Sequence, residues 1–153
     1  MTERFPVAYL FPLRLLFGII LLLEGWGKLQ GNWLHGDPLA ATLGRWLADD
    51  KPYALFLPLV KVAHAHPKIF GSLVTIGEVA VGLSLLFGVL TRVGAALGAL
   101  MLLAFAFCGG QGLVPPGNAL LMGAVCILFV AAPPGRFLGV DAVLAGRLPR
   151  WMV

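Results

Sequence analysis

The sequence predicts an all-α integral membrane protein, a four-transmembrane-helix bundle with a short interfacial helical cap between helices 1 and 2. Apolar residues make up 59% of the 153 residues and charged residues only 12%, against about 45–50% and about 25% in soluble domains. The mean hydropathy is +0.93. The charges are also unevenly placed, because residues 93–135 carry none. This pattern excludes a disordered chain and argues against a water-soluble globule.

The chain is predicted to form one membrane domain, residues 1–153. The expected spans are 7–29, 69–90, 92–109 and 117–133. A spanning helix needs about 20 apolar residues, so the uncharged stretch holds two spans, joined by a turn rich in glycine and proline. The first span carries three charges. Where a signal peptide would have a cleavage site of small residues, this span has Glu24 and Lys28. An uncleaved span is therefore the better interpretation than a signal peptide.

Four spans place both termini on one side of the membrane. With the termini inside, six basic residues lie on the cytoplasmic side and five flank the outer loop, so the positive-inside rule favours this orientation by a small margin. The tight turn at Arg92 and the basic C-terminal tail favour it too. We expect a prokaryotic plasma membrane with cytoplasmic N- and C-termini. The net charge of +4 suits an anionic leaflet and implies no nucleic acid.

The outer loop, residues 30–68, is predicted to form the cap. Four apolar side chains fall on one face of a short amphipathic helix: Leu39, Leu43, Trp46 and Leu47. Residues 52–64 form a second apolar piece, broken at Pro58. The loop therefore forms two short helices on the outer face, or re-enters the membrane near Pro58.

Three histidines lie in this loop: His35, His64 and His66. They are the candidates for a metal site, but their spacing matches no recognised ligand pattern. Interfacial histidines in contact with water are the simpler interpretation, so no metal is predicted.

Four charged residues within the first two spans form the predicted intramembrane polar site: Arg14, Glu24, Lys28 and Glu78. On a helix, the three in the first span fall within about 80 degrees of one another, so we expect their shared face to point into the bundle. Glu24 and Lys28 are spaced for an i,i+4 pair, and Arg14 is close enough to the inner end to snorkel.

Glu78 lies at a depth comparable to that of Glu24. The two carboxyls can share a proton, pair with Lys28, or hydrogen-bond a quinone or another polar headgroup. A structural polar cluster that fixes helix packing explains the same residues equally well.

Two cysteines, Cys108 and Cys126, are expected at different depths in the third and fourth spans. A disulfide needs alpha carbons within about 7 Å, so neither a disulfide nor a dithiol redox enzyme is predicted.

Several motifs resemble those of the DoxX/DoxD family of small four-helix membrane proteins. The first span carries R-x-x-x-G from Arg14 and G-x-x-K-L ending at Leu29. The second carries E-x-x-x-G-x-x-L-x-x-G-x-x-T-R, from Glu78 to Arg92. The helix-end motif residues are Arg92, Asn118 at the start of the fourth span, and Asp141 after Gly135-Arg136. The resemblance covers nearly the whole chain.

The resemblance implies a quinone-associated redox context, since DoxD is the small subunit of an archaeal thiosulfate:quinone oxidoreductase. The leading hypothesis is an accessory or structural subunit of a quinone-linked redox complex, in contact with the lipid bilayer and with other membrane subunits. No cofactor is firmly implied, and quinone or lipid is the candidate ligand. The alternatives are a catalytic subunit of a thiosulfate:quinone oxidoreductase and a protein that handles a small molecule or a metal.

Overall fold

A computed structural model describes residues 7–50, 52–109, 119–144, 146–149 and 152. In this part of the chain the secondary structure is helical and contains no strand. Seven α-helices follow in order: α1 Phe11–Gln30, α2 Asp37–Arg45, α3 Leu57–Ala65, α4 Pro67–Phe87, α5 Thr91–Cys108, α6 Ala119–Ala131 and α7 Val140–Leu144. Short 3-10 turns precede α1, α2 and α7, and one π-helical turn, Trp46–Asp50, follows α2.

Three of the described helices are long and apolar enough to cross a membrane: α1 with its preceding turn (Ala8–Gln30), α4 and α5. Candidate membrane-spanning helices are thus found where the first three spans are predicted. The fourth predicted span coincides with α6, an apolar helix of 13 residues, which is shorter than the roughly 20 residues that cross a bilayer. The predicted start of that span at residue 117 lies outside the described residues, so the count of four spans stays a prediction.

Prolines lie in the first turn of four of these helices, because a residue in the first turn needs no N–H partner and proline already has a helical φ. They are Pro12 in α1, Pro38 in α2, Pro58 in α3 and Pro67 in α4. Pro58 was expected to interrupt an apolar piece, but it lies in the first turn of α3. At the other end, α4 stops at Gly88, whose φ of 65° is left-handed.

The bundle is built from α1 against α4 and α5 against α6. Glycine allows the first pair to approach closely, since a Cβ at Gly18 would lie 2.8 Å from the backbone nitrogen of Leu86. The two pairs meet in one apolar core, where the rings of Phe17 and Phe129 pack edge to face at 6.0 Å. Leu85 and Cys126 are fully buried beside them.

The helices α2 and α3, which we call the cap, pack on one end of α4 and α5. Their buried apolar side chains form a second core with the last residue of α5: Leu39, Leu43, Val60, Ala63 and Cys108. Leu39 and Leu43 are buried as their helical spacing predicted, and Trp46 packs edge to face on Phe105. We call this end of the bundle the cap end. The opposite end, where residues 88–90 join α4 to α5, is the turn end.

Candidate functional site

The four charged residues of the predicted polar site are divided between the two ends of the bundle. Glu24, Lys28 and Glu78 meet at the cap end. Arg14 lies fourteen residues before Lys28 on α1, which is about 21 Å along the helix axis, and it makes its contacts at the turn end. The structure therefore contains two polar clusters in place of one.

Lys28 and Glu78 form an ion pair between α1 and α4. The Nζ atom of Lys28 donates a hydrogen bond of 2.8 Å to Oε1 of Glu78 and lies 2.7 Å from Oε2. The exposed fractions of the two side chains are 14% and 6%. Such a pair, shielded from solvent and joined through both carboxylate oxygens, is held far more firmly than a surface ion pair.

Glycine in α1 lets the two helices come close enough for this pair. A Cβ at Gly25 would lie 2.7 Å from Cγ2 of Val79 and 3.3 Å from Cβ of Glu78. Gly25 is thus the close-approach point beside the charges. Lys28 also lies in the last turn of α1, where a cation is favoured by the negative end of the helix dipole.

Glu24 is the exposed member of this cluster. Its carboxylate lies 3.5 Å from Nζ of Lys28, which confirms the predicted i,i+4 pair. Its side chain is 64% exposed, however, whereas we expected the shared face to turn it into the bundle. The reason is its position at the edge of that face, about 40 degrees from Lys28. Glu24 therefore opens the cluster toward the lateral surface of the protein.

Trp33 completes the cluster from the turn that follows α1. The ammonium group of Lys28 lies 5.3 Å from the centre of the Trp33 ring, within the range of a cation–π contact. The carbonyl of Trp33 packs against the backbone of Gly71 on α4, where a side chain has no room. No spacing rule predicts this contact, because five residues after Lys28 is no helical spacing.

One ammonium group and two carboxylates give this cluster a formal charge of −1. It can donate hydrogen bonds through Lys28 and accept them through Glu24. The excess negative charge favours a ligand that carries hydrogen-bond donors or positive charge over an anionic one.

The turn-end cluster is built on Arg14. We expected this side chain to snorkel, but it is only 1% exposed. Its guanidinium donates to three backbone carbonyls of the segment after α6, those of Pro134 at 3.1 Å, Phe137 at 3.3 Å and Leu138 at 3.2 Å. Arg14 therefore fastens the C-terminal segment to α1.

Asp141, a predicted helix-end residue, is fully buried beside the α4–α5 turn. Its carboxylate accepts hydrogen bonds from the backbone amides of Leu90 at 2.6 Å and Thr91 at 2.8 Å, and its own amide donates to the carbonyl of Gly88 at 2.8 Å. Arg92 nearby donates from Nε to the carbonyl of Val130 at 2.9 Å. These contacts position helix ends. Asn118, the third helix-end residue, lies outside the described residues.

The three histidines are exposed. Among the described residues there is no group of three or more His, Cys, Asp and Glu side chains arranged to hold a metal ion. Cys108 and Cys126 are both buried free thiols.

A family model described as DoxX matches residues 9–111, more than half of the chain. The matched region contains Arg14, the Glu24–Lys28–Glu78 cluster and the α4–α5 turn. It ends before Asp141. No match was found among curated proteins or among solved structures. On the strength of the family match, this chain belongs to the DoxX family.

Proposed function

We propose that this DoxX-family protein is an accessory integral membrane subunit of a quinone-linked redox complex, and that the cap-end cluster receives the quinone headgroup. The observation that carries the proposal is the ion pair of Lys28 and Glu78 with a second, exposed carboxylate, Glu24, beside it within a membrane-spanning helix. Ionisable groups at membrane depth are costly, and they commonly mark ligand or proton pathways.

The chemistry of the cluster suits a quinone or quinol headgroup. The Lys28 ammonium can donate a hydrogen bond to a carbonyl oxygen, and the Glu24 carboxylate can accept one from a hydroxyl. Glu24 is exposed next to Leu23 and Trp26, both large, exposed apolar residues of α1. A ligand dissolved in the bilayer can therefore reach the cluster from the side.

An accessory role fits the charge of the cluster better than catalysis on thiosulfate does. Thiosulfate is a dianion, and the single Lys28 cation is already shared by two carboxylates. Large apolar side chains are exposed along α1, α4 and α5, among them Ile19, Ile76 and Leu100. They offer a lateral surface to lipid and to other membrane subunits.

The test is to purify the full chain from native membranes in mild detergent and to quantify the bound quinone and the co-purifying subunits. We expect Lys28→Met to lower the retained quinone at least tenfold, a loss of about 1.4 kcal/mol in binding. Glu24→Gln is expected to lower it less, because Lys28 and Glu78 remain. Lys61→Met is the matched control, since Lys61 is an exposed lysine of the cap.

Two results would contradict the proposal. One is a wild-type chain that purifies as a stable monomer with neither quinone nor another membrane subunit. The other is thiosulfate-dependent quinone reduction by the isolated chain that Lys28→Met abolishes, which would assign catalysis to the cluster.

A further inference from the structure

A cavity of about 160 Å³ lies beneath the cap, between α4 and α5. All twelve residues that line it are apolar. The cap contributes Leu39, Leu43 and Val60, α4 contributes Val74, and α5 contributes Met101 and Ala104. The cavity is separate from the Lys28–Glu78 pair, which lies between α1 and α4.

Glycines bring α4 and α5 together from the turn end to the middle of α4, and the cavity lies beyond the last of these contacts. Gly94 contacts Ser84, a Cβ at Gly98 would lie 3.0 Å from Val81, and one at Gly77 would lie 3.2 Å from Met101. Further toward the cap end, larger residues face each other, and the side chains of the cap cover the gap without filling it.

The size and lining of the cavity favour an apolar occupant over water. An engineered cavity of about 150 Å³ with an apolar lining stays dry and binds benzene. A water molecule needs two to four polar partners, and the lining presents no polar surface to the cavity. An empty space of this size would forfeit the dispersion contacts of its walls.

The depth of the cavity matches that of lipid acyl chains. Its α5 lining runs from Met101 to Cys108, the last residue of the helix, which is about 10 Å along the axis. It therefore lies along the last eight of the eighteen residues of α5, directly under the cap. The cap itself is amphipathic, with Leu43 and Val60 buried while Arg45 and Lys61 are exposed, as expected of helices at a membrane interface.

We propose that this cavity binds a segment of one acyl chain of a membrane phospholipid, held between the cap and the two spanning helices. Acyl chains are the solvent at this depth, and the cavity is partly open, so a chain can enter it from the bilayer. A site without polar atoms binds the hydrocarbon chain and leaves the headgroup to the interface. The proposal stands apart from the quinone proposal and rests on different residues.

The test is photolabelling of the full chain in nanodiscs with a phosphatidylcholine that carries a diazirine on one acyl chain. We expect labelled peptides to include Met101–Cys108 and α3. Ala104→Phe and Val74→Phe place a ring in the cavity, and each is expected to lower this labelling at least fivefold. Leu100→Phe is the control on α5, because Leu100 is 71% exposed and lies outside the cavity. Labelling that is unchanged in both filled variants would overturn the proposal.

A second experiment uses the two native cysteines of the wild-type protein, so it does not depend on whether a variant folds. Cys108 lines the cavity, whereas Cys126 is buried in the other core. We expect delipidation to raise the rate of Cys108 modification by N-ethylmaleimide severalfold, phosphatidylcholine to reverse this, and the Cys126 rate to stay constant. Equal Cys108 rates in both states would overturn the proposal, as would protection by a prenylated quinone but not by phosphatidylcholine.

Discussion

The carboxylate of Asp141 accepts a hydrogen bond of 2.8 Å from the backbone amide of Thr91, fifty residues earlier in the chain. Thr91 is the first residue of α5, and the preceding Leu90 supplies no side-chain hydrogen bond to the helix start. Leu90 has a φ of 48°, which is uncommon for a residue with a side chain, and its amide donates to the same carboxylate. Asp141 thus satisfies the orphan amides at the N-terminus of a membrane helix from a distant segment.

Replacing Asp141 with asparagine is expected to destabilise the protein. The asparagine side chain has one acceptor oxygen, and its NH2 group, a donor, faces the other of the two backbone N–H groups. That buried N–H is left without an acceptor, at a cost of about 1–3 kcal/mol. The measurement is the thermal unfolding midpoint in detergent. Asp37→Asn makes the same chemical change at an exposed site and should lower the midpoint much less. Equal midpoints for Asp141→Asn and wild type would show that the carboxylate is dispensable.

Gly135 is expected to tolerate no side chain. A Cβ there would collide with Oγ1 of Thr91 and with Oδ2 of Asp141, so Gly135→Ala forces a backbone shift that costs about 1–3 kcal/mol. The matched control is Gly27→Ala on α1, because a Cβ at Gly27 meets no atom within 4 Å. That change should stabilise the helix by about 0.5–1 kcal/mol. Chemical denaturation in mixed micelles measures the change in unfolding free energy, which should fall for Gly135→Ala and rise for Gly27→Ala.

Arg14 is expected to hold the segment that carries Asp141. Arg14→Met removes three hydrogen bonds to backbone carbonyls and leaves buried acceptors without donors. Hydrogen exchange followed by mass spectrometry should then show at least tenfold faster exchange in residues 134–144 and unchanged exchange in α2 and α3. Arg45→Met, at an exposed arginine of α2, is the control. If exchange in 134–144 keeps its wild-type rate, Arg14 does not hold the segment.

Hydropathy and helical periodicity predict the local part of this structure. The long apolar helices lie where the hydropathy of the sequence indicated them, because a spanning helix leaves a signature of about 20 residues in any sequence. The i,i+4 pair of Glu24 and Lys28 follows from helix geometry alone. The family follows from motifs spread along the chain, and the family match confirms it.

The contacts between distant segments are not predictable in the same way. The depth of Glu78 in the second span made Lys28 one of several partners that the sequence allowed for it. No spacing rule connects Asp141 with Thr91. The exposure of Glu24 depends on how far α1 is rotated against α4, which the close packing at Gly25 determines. A shift of a few tens of degrees decides whether a residue at the edge of a face is buried or exposed.

The Lys28–Glu78 pair is expected to respond asymmetrically to its single replacements. Lys28→Met leaves the buried Glu78 without its cation, at a cost of about 3–5 kcal/mol. Glu78→Gln is expected to cost less, since Lys28 keeps Glu24 at 3.5 Å. The double variant with Lys28→Met and Glu78→Leu should recover most of the loss, because a buried ion pair can be replaced by apolar residues at little cost. The unfolding free energies of wild type, Lys28→Met, Glu78→Leu and the double variant complete a double-mutant cycle, and additive losses would mean that the pair is not coupled.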